Sequence, residues 1–132
     1  FDLNYKVTLS LTLNKKNINT NQENKEIIFL GNLSRDQVNV EYSKSDYLIF
    51  PSVIESFGLP LVESTNYNLK ILASNSEYVN YVVKPSLSFD SNSITSIKEA
   101  IEKVVNLNKI KDSKLLVKNK LDSFINFICS NV

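Results

Sequence analysis

The sequence predicts an α/β domain, a parallel sheet with helices on its flanks. Short apolar runs recur along the chain at Ile27–Leu30, Tyr47–Phe50, Ile71–Ala73 and Leu87–Phe89. Continuous runs of that length read as strands covered on both faces, as in a parallel sheet. Between them lie segments with helical spacing and helix-start signals. Strands alternating with helices in this way are the signature of βαβ construction.

Each element has its own local reason. Tyr5, Val7, Leu9, Leu11 and Leu13 alternate with Lys6, Thr8, Ser10 and Thr12, a period-two strand with one buried face. Residues 14–25 are almost wholly polar and read as a loop with room for one helical turn. Ile27–Leu30 is the next strand and ends at Gly31. Ser34 and Gln37 make a capping-box pair that opens a helix running to Ser45. Pro51 stops the strand Tyr47–Phe50, because proline has no N–H for a sheet ladder. Pro60 suits the first turn of a helix to Tyr67. Ile71–Ala73 is a strand, Glu77–Val83 one or two helical turns, and Leu87–Phe89 a minimal strand. Ile94, Ile97, Ile101, Val104 and Val105 share one helical face behind the N-cap Ser93. Val117, Leu121, Phe124, Ile125 and Ile128 predict a last helix over 111–130.

Composition narrows the chemistry. The 132 residues are 42% hydrophobic and 22% charged, which suits one globular domain, 1–132. A net charge of +1 removes the bulk electrostatic case for nucleic acid. No histidine is present, so a Ser-His-Asp triad, a histidine-ligated zinc and a histidine base are excluded within the chain. The single cysteine, Cys129, allows no internal disulfide and suits a reducing cytosol. No run of ~18 apolar residues exists to span a bilayer. The chain begins at Phe1 rather than Met, and the expectation is a piece of something longer or a processed product. It is rich in Asn and has two glycines, so some left-handed turns should be built on Asn.

The segment that carries chemistry runs from Phe50 to Glu63, out of a strand and into a helix. In open α/β sheets ligands sit beyond the carboxyl ends of the strands. Gly58 lets a ligand approach the backbone, and the free amides around Leu59 to Leu61 lie at the positive end of the helix dipole, which suits phosphate or sugar oxygens. Glu55 on the loop and Glu63 one turn into the helix flank that start as acceptors for hydroxyl donors. The bland alternative is that a glutamate near a helix start serves only the dipole, and that Phe57 and Pro60 only pack and start the helix.

The ordered series of motifs resembles the C-terminal donor-binding domain of retaining GT-B glycosyltransferases, those of glycosyltransferase family 4, also called group 1. Ile28-Phe29-Leu30-Gly31 looks like the family's strand ending in Phe-x-Gly, and Tyr42 to Asp46 like its Tyr-x-x-Ala-Asp helix end. Leu48 to Ser52 looks like its strand followed by Pro-Ser. Glu55-Ser-Phe57-Gly58-Leu59-Pro60 with Glu63 matches its E-x7-E motif. Ile71 to Ser74 and Leu87 to Asp90 look like the later strand and turn, so the likeness covers about 27–105.

The resemblance implies a Rossmann-like sheet, the GT-B C-terminal half-domain, and a fragment of a two-domain enzyme whose N-terminal acceptor domain is missing. It implies a nucleotide-diphosphate sugar as donor substrate, no metal and no cofactor. Glu55 would be the catalytic-site carboxylate and accept from donor-sugar hydroxyls. The backbone of Phe57, Gly58 and Leu59 would lie against the sugar and diphosphate, Glu63 would hold the ribose, and Gly31 and Asn32 would lie near the base. The expected reaction is retaining glycosyl transfer to a saccharide or lipid-linked acceptor, by a hexosyl-type enzyme that is inactive as a fragment. The expected place is the cytoplasm. The lysines 109, 111, 114, 118 and 120 make the last helix basic; the plain reading is a solvated face with helix-terminal charge balance, and the alternative is peripheral contact with the inner face of the membrane.

The chain departs from the family pattern in several places. The basic pair that clamps the diphosphate has no counterpart, since Lys15 and Lys16 fall in the wrong place and read as solvated. The family's first strand has none either, which leaves 5–13 to close against 47–50 or another chain to fill the gap. Asn stands near 66–68 where Gly is usual, and Ser64 stands for Ala. Tyr67, Tyr78 and Tyr81 are placed to line a sugar pocket, though aromatic residues beside a helix more often join the core. The rival reading is a noncatalytic α/β interaction module that kept the fold. A non-transferase relative such as a sugar-nucleotide epimerase is disfavoured by the absent histidine.

Overall fold

The structure is a computed structural model, which describes residues 7–17, 26–106 and 110–117. The chain falls into two compact units, Phe1–Ser45 and Asp46–Val132.

In the first unit, strands β1 (Leu9–Leu11) and β2 (Ile27–Phe29) run parallel, with Leu9 opposite Ile27 and Leu11 opposite Phe29. A turn of 3-10 helix, Lys15–Asn17, occupies part of the polar connection. Leu9 and Leu11 are half-buried and Ser10 is exposed, as period two requires. Ile28 is 45% exposed, so β2 is not covered on both faces as its apolar run suggested. Helix α1 (Arg35–Lys44) opens with the expected capping box. The Ser34 N–H donates to Gln37 Oε1 at 2.8 Å, and the Gln37 N–H to Ser34 Oγ at 3.4 Å. Two otherwise orphaned amides are satisfied at once.

The second unit is built on three parallel strands in the order β3 (Tyr47–Phe50), β4 (Lys70–Ser74), β6 (Leu87–Phe89). Helices α2 (Leu59–Asn66), α3 (Glu77–Val82) and α4 (Ile94–Asn106) come between and after them. Period two divides the apolar runs between two cores. Phe50, Ile71 and Ala73 pack with Leu61 of α2 and with Val79 and Val82 of α3. Leu72 and Phe89 pack with Ala100 and Val104 of α4. The sheet is therefore clothed on both sides, which is why its strands read as unbroken apolar runs.

Helix α2 ends where the sequence places an asparagine instead of glycine. Asn68 lies at φ +57°, in the left-handed region. The Leu69 N–H donates to the Ser64 carbonyl at 3.1 Å and the Asn68 N–H to that of Thr65 at 3.2 Å. This pair of bonds is a Schellman closure with Asn at its left-handed position. Ser64 itself is fully buried, and its hydroxyl donates to the Leu61 carbonyl at 3.2 Å, so it fills the space of the usual Ala without an unpaired donor.

The expected helix over 111–130 is not found where its start is described. Residues 111–117 are extended, and β7 (Lys114–Leu115) pairs antiparallel with β5 (Val83–Lys84). Tertiary partners outbid local spacing here. The Ile71 N–H donates to Ser113 Oγ at 2.7 Å, and the Ser86 and Ser113 hydroxyls stand 2.8 Å apart. The amides of Leu116 and Val117 donate to the Val82 carbonyl, and Val117 packs on the first core. Lys84 faces Lys114 in register, so backbone bonds rather than side-chain attraction hold this ladder. Lys111 and Lys114 are therefore not on a basic amphipathic helix. Leu121, Phe124, Ile125, Ile128, Cys129, Lys109, Lys118 and Lys120 lie outside the described residues.

Leu61 is 0% exposed at the centre of the first core. Leu61→Ala is expected to cost about 2–5 kcal/mol, read as a lower urea midpoint with an unchanged slope.

Candidate functional site

The sequence-predicted site residues lie on two stretches of chain. Glu55, Phe57, Gly58, Leu59 and Glu63 stand together at the passage from β3 to α2, beyond the carboxyl end of β3. Gly31 and Asn32 follow β2 in the first unit. Gly31 is buried at φ +66°, its N–H donates to the Leu13 carbonyl at 3.2 Å, and a Cβ built there would stand 2.8 Å from Asn14 Oδ1. Asn32 is exposed.

The passage from β3 to α2 is held by serine hydroxyls. Pro51 and Ser52 leave the strand. The Ser91 hydroxyl donates to the Pro51 carbonyl at 2.7 Å, and the Ser74 hydroxyl to the Ser52 carbonyl at 2.6 Å. Ser74 ends β4 and is 1% exposed, so this bond is made away from water. Ser76 Oγ lies 3.3 Å from Ser74 Oγ and accepts from the Val79 N–H at 3.3 Å, capping α3. The Ser52 hydroxyl donates to the Ile54 carbonyl at 3.1 Å and bends the loop on itself. Nothing in the hydrophobic pattern pointed to these serines; their one sequence signal is that a serine ends or closely follows each of three strands.

Gly58 then turns the chain into α2. It is buried, sits in the left-handed region at φ +54°, and caps the helix without a side chain. Its carbonyl accepts from Leu61 at 2.9 Å and Val62 at 3.4 Å. The Leu61 amide is thus used within the turn, contrary to the expectation that it stays open, and Pro60 has no N–H. The outermost donors at the positive end of the helix are the amides of Gly58 and Leu59.

Two carboxylates border this entrance. Glu55 is exposed on the loop. Glu63 is half-buried and four residues beyond Leu59, so it shares a helix face with Leu59. The Cα–Cβ bonds of an α-helix lean toward its N-terminus, which for Glu63 is the side of the Gly58 turn. Phe57 is 79% exposed and Ile54 85%, so neither packs in the core. Carboxylates accept hydroxyl protons and the turn amides donate to anionic oxygens, so the entrance suits a ligand with both. Among the described residues, no group of three or more His, Cys, Asp and Glu is placed to hold a metal ion. No helix among them is long and apolar enough to cross a membrane.

The aromatic residues divide. Tyr81 and Tyr67 are exposed and Tyr78 is half-buried, packed against the first core. A Cβ built on Gly58 would overlap the Tyr78 hydroxyl and stand 2.7 Å from its Cζ. The turn therefore lies on the phenol, which only a glycine permits. Burial, and after it the charge of Glu55, holds the Tyr78 phenol above its usual pKa.

The family model described as glycosyl transferases group 1 matches residues 12–120 of the chain. No curated protein matches it.

Ser74→Ala is expected to lower stability by about 1–2 kcal/mol and to speed amide exchange across 52–58 while the β4 amides stay protected, as hydrogen-exchange mass spectrometry would read. A second expectation concerns alkaline pH. A phenol whose pKa rises on folding leaves stability level below its unfolded value of about 10; above it the unfolded chain releases the proton more readily, so stability falls as pH rises toward the folded value. Unfolding free energy measured against pH is expected to fall on the alkaline side, less steeply in Tyr78→Phe.

Proposed function

Since the chain belongs to the group 1 glycosyltransferases, whose chemistry is glycosyl transfer, we propose that the entrance to α2 binds a nucleotide-diphosphate sugar. The single observation that carries this reading is the buried, left-handed Gly58 between Glu55 and Glu63 at a helix N-terminus. A diphosphate needs donors and no competing side chain, and a glycine cap with exposed flanks offers both. A sugar and a ribose need acceptors for their hydroxyls, and the two carboxylates offer those.

In this reading the work divides by chemistry. The amides of Gly58 and Leu59 hold phosphate oxygens, helped by the helix dipole. Glu55 accepts from hydroxyls of the donor sugar and fixes its ring over the turn, and the backbone from Phe57 to Leu59 lies against that ring and the diphosphate. Glu63, whose Cα–Cβ bond leans back along the helix, accepts from the ribose hydroxyls. The glycosyl group then passes with retained anomeric configuration to a saccharide or lipid-linked acceptor presented by a second, N-terminal domain. The donor is of hexosyl type, no cofactor is required, and the work is cytoplasmic. On its own this chain binds the donor without turning it over.

Titration calorimetry of the full chain with UDP-glucose, GDP-mannose and ADP-glucose tests the reading. One of the three is expected to bind, and Glu55→Ala and Glu63→Gln are each expected to weaken it by about tenfold, the effect of losing one charge-assisted hydrogen bond. Affinity unchanged in both variants would overturn the assignment. A chain that takes none of the three would favour the noncatalytic interaction module.

A further inference from the structure

One polar group beneath this entrance has no partner. The Tyr78 hydroxyl is buried and makes no hydrogen bond. Buried phenols nearly always find an acceptor, so this one stands out among the described side chains. Its surroundings do not explain it as packing. The ring belongs to the first core beside Val79 and Val82, and a phenylalanine ring would serve that core as well. The hydroxyl occupies the space a Cβ at position 58 would take, so its presence restricts the turn to glycine and gains nothing in return.

A carboxylate stands close by in the chain, that of Glu55, three residues before Gly58. Its carboxylate is exposed and its charge is felt at the phenol. A carboxylate has about four acceptor positions. Two sugar hydroxyls leave room for a third donor. The phenol is neutral at physiological pH and offers its proton to a carboxylate.

We propose that Tyr78 is a positioning residue of this site: when a nucleotide sugar orders the 55–58 loop, the buried hydroxyl donates to the Glu55 carboxylate and holds it toward the sugar. The inference rests on the reading of Glu55 as a sugar ligand. It makes the unpaired phenol of the free protein a donor kept in reserve under the turn, at the one place where the missing Cβ of Gly58 lets it reach the loop. Ligand binding then completes the hydrogen bond that the free state lacks, and the gain favours the ordered loop only while the sugar is present.

The test is a double-mutant cycle on the full chain. Tyr78→Phe, Glu55→Ala and the double variant are titrated with UDP-glucose, GDP-mannose and ADP-glucose, and their melting temperatures are recorded without ligand. Tyr78→Phe is expected to melt at the same temperature or higher, because it loses only an unpaired hydroxyl. Its affinity for the sugar nucleotide is expected to fall about tenfold. In the Glu55→Ala background the same change is expected to cost less than about twofold, since both act through one hydrogen bond. Undiminished affinity in Tyr78→Phe, with Glu55→Ala still weakened, would overturn the role of Tyr78 and leave the proposed function standing. An equal loss in both backgrounds would also overturn it, because the hydroxyl would then act elsewhere. If the unaltered chain binds none of the three, the proposed function and this inference fall together.

Discussion

The contact between Gly58 and Tyr78 is the constraint on which the entrance to α2 depends. A strand must hand the chain to a helix whose first donors face outward, and it must do so within a few residues of a buried sheet. The left-handed backbone at Gly58 makes the reversal, and the phenol beneath it sets how deep the turn can sink. Any side chain at this position would meet two obstacles at once, an unfavourable φ and the Tyr78 ring. Glu55 before the turn and Glu63 after it take their places from that one residue.

The turn rests on a sheet that is finished on both faces. Phe50, Ile71 and Ala73 bury one side against α2 and α3, while Leu72 and Phe89 bury the other against α4. Only the strand ends are left to carry polar chemistry, and there the chain uses serine. Ser74, Ser91 and Ser52 each satisfy a carbonyl of the loop. A hydroxyl is the shortest side chain that can do this from a buried position. The same economy appears at Ser113, which takes a β4 amide and draws 110–117 into an extended path.

Electrostatics at the entrance combine opposite tendencies. Two carboxylates near a helix N-terminus are favoured by the dipole, yet they would repel a diphosphate. In the proposed reading, separation of roles resolves this: amides would face the anion and carboxylates the hydroxyls. Such a site depends on orientation more than on net charge, in keeping with a chain whose formal charge is +1. It also explains why a donor that fixes the direction of Glu55 has a use.

Much of this was legible in the residues themselves. Period two and continuous apolar runs located β1, β3, β4 and β6, because strand faces repeat at a fixed interval. Ser34 with Gln37 announced the start of α1, and Asn near 68 announced a left-handed stop, because caps and positive φ depend on local chemistry alone. The Glu55–Glu63 stretch was readable for the same reason: its parts are neighbours in sequence. What tertiary structure alone decided involves partners far apart in the chain. The spacing from Val117 to Ile128 suggested a helix starting near 111, but Ser113 found Ile71 and Ser86, and Val82 took the amides of Leu116 and Val117. The exposed Ile28 broke the apolar run of β2, since a run cannot say which faces find cover. The Tyr78 hydroxyl under Gly58, twenty residues away, was invisible for the same physical reason: only a folded chain sets one group's lack of a Cβ against another group's lack of a partner.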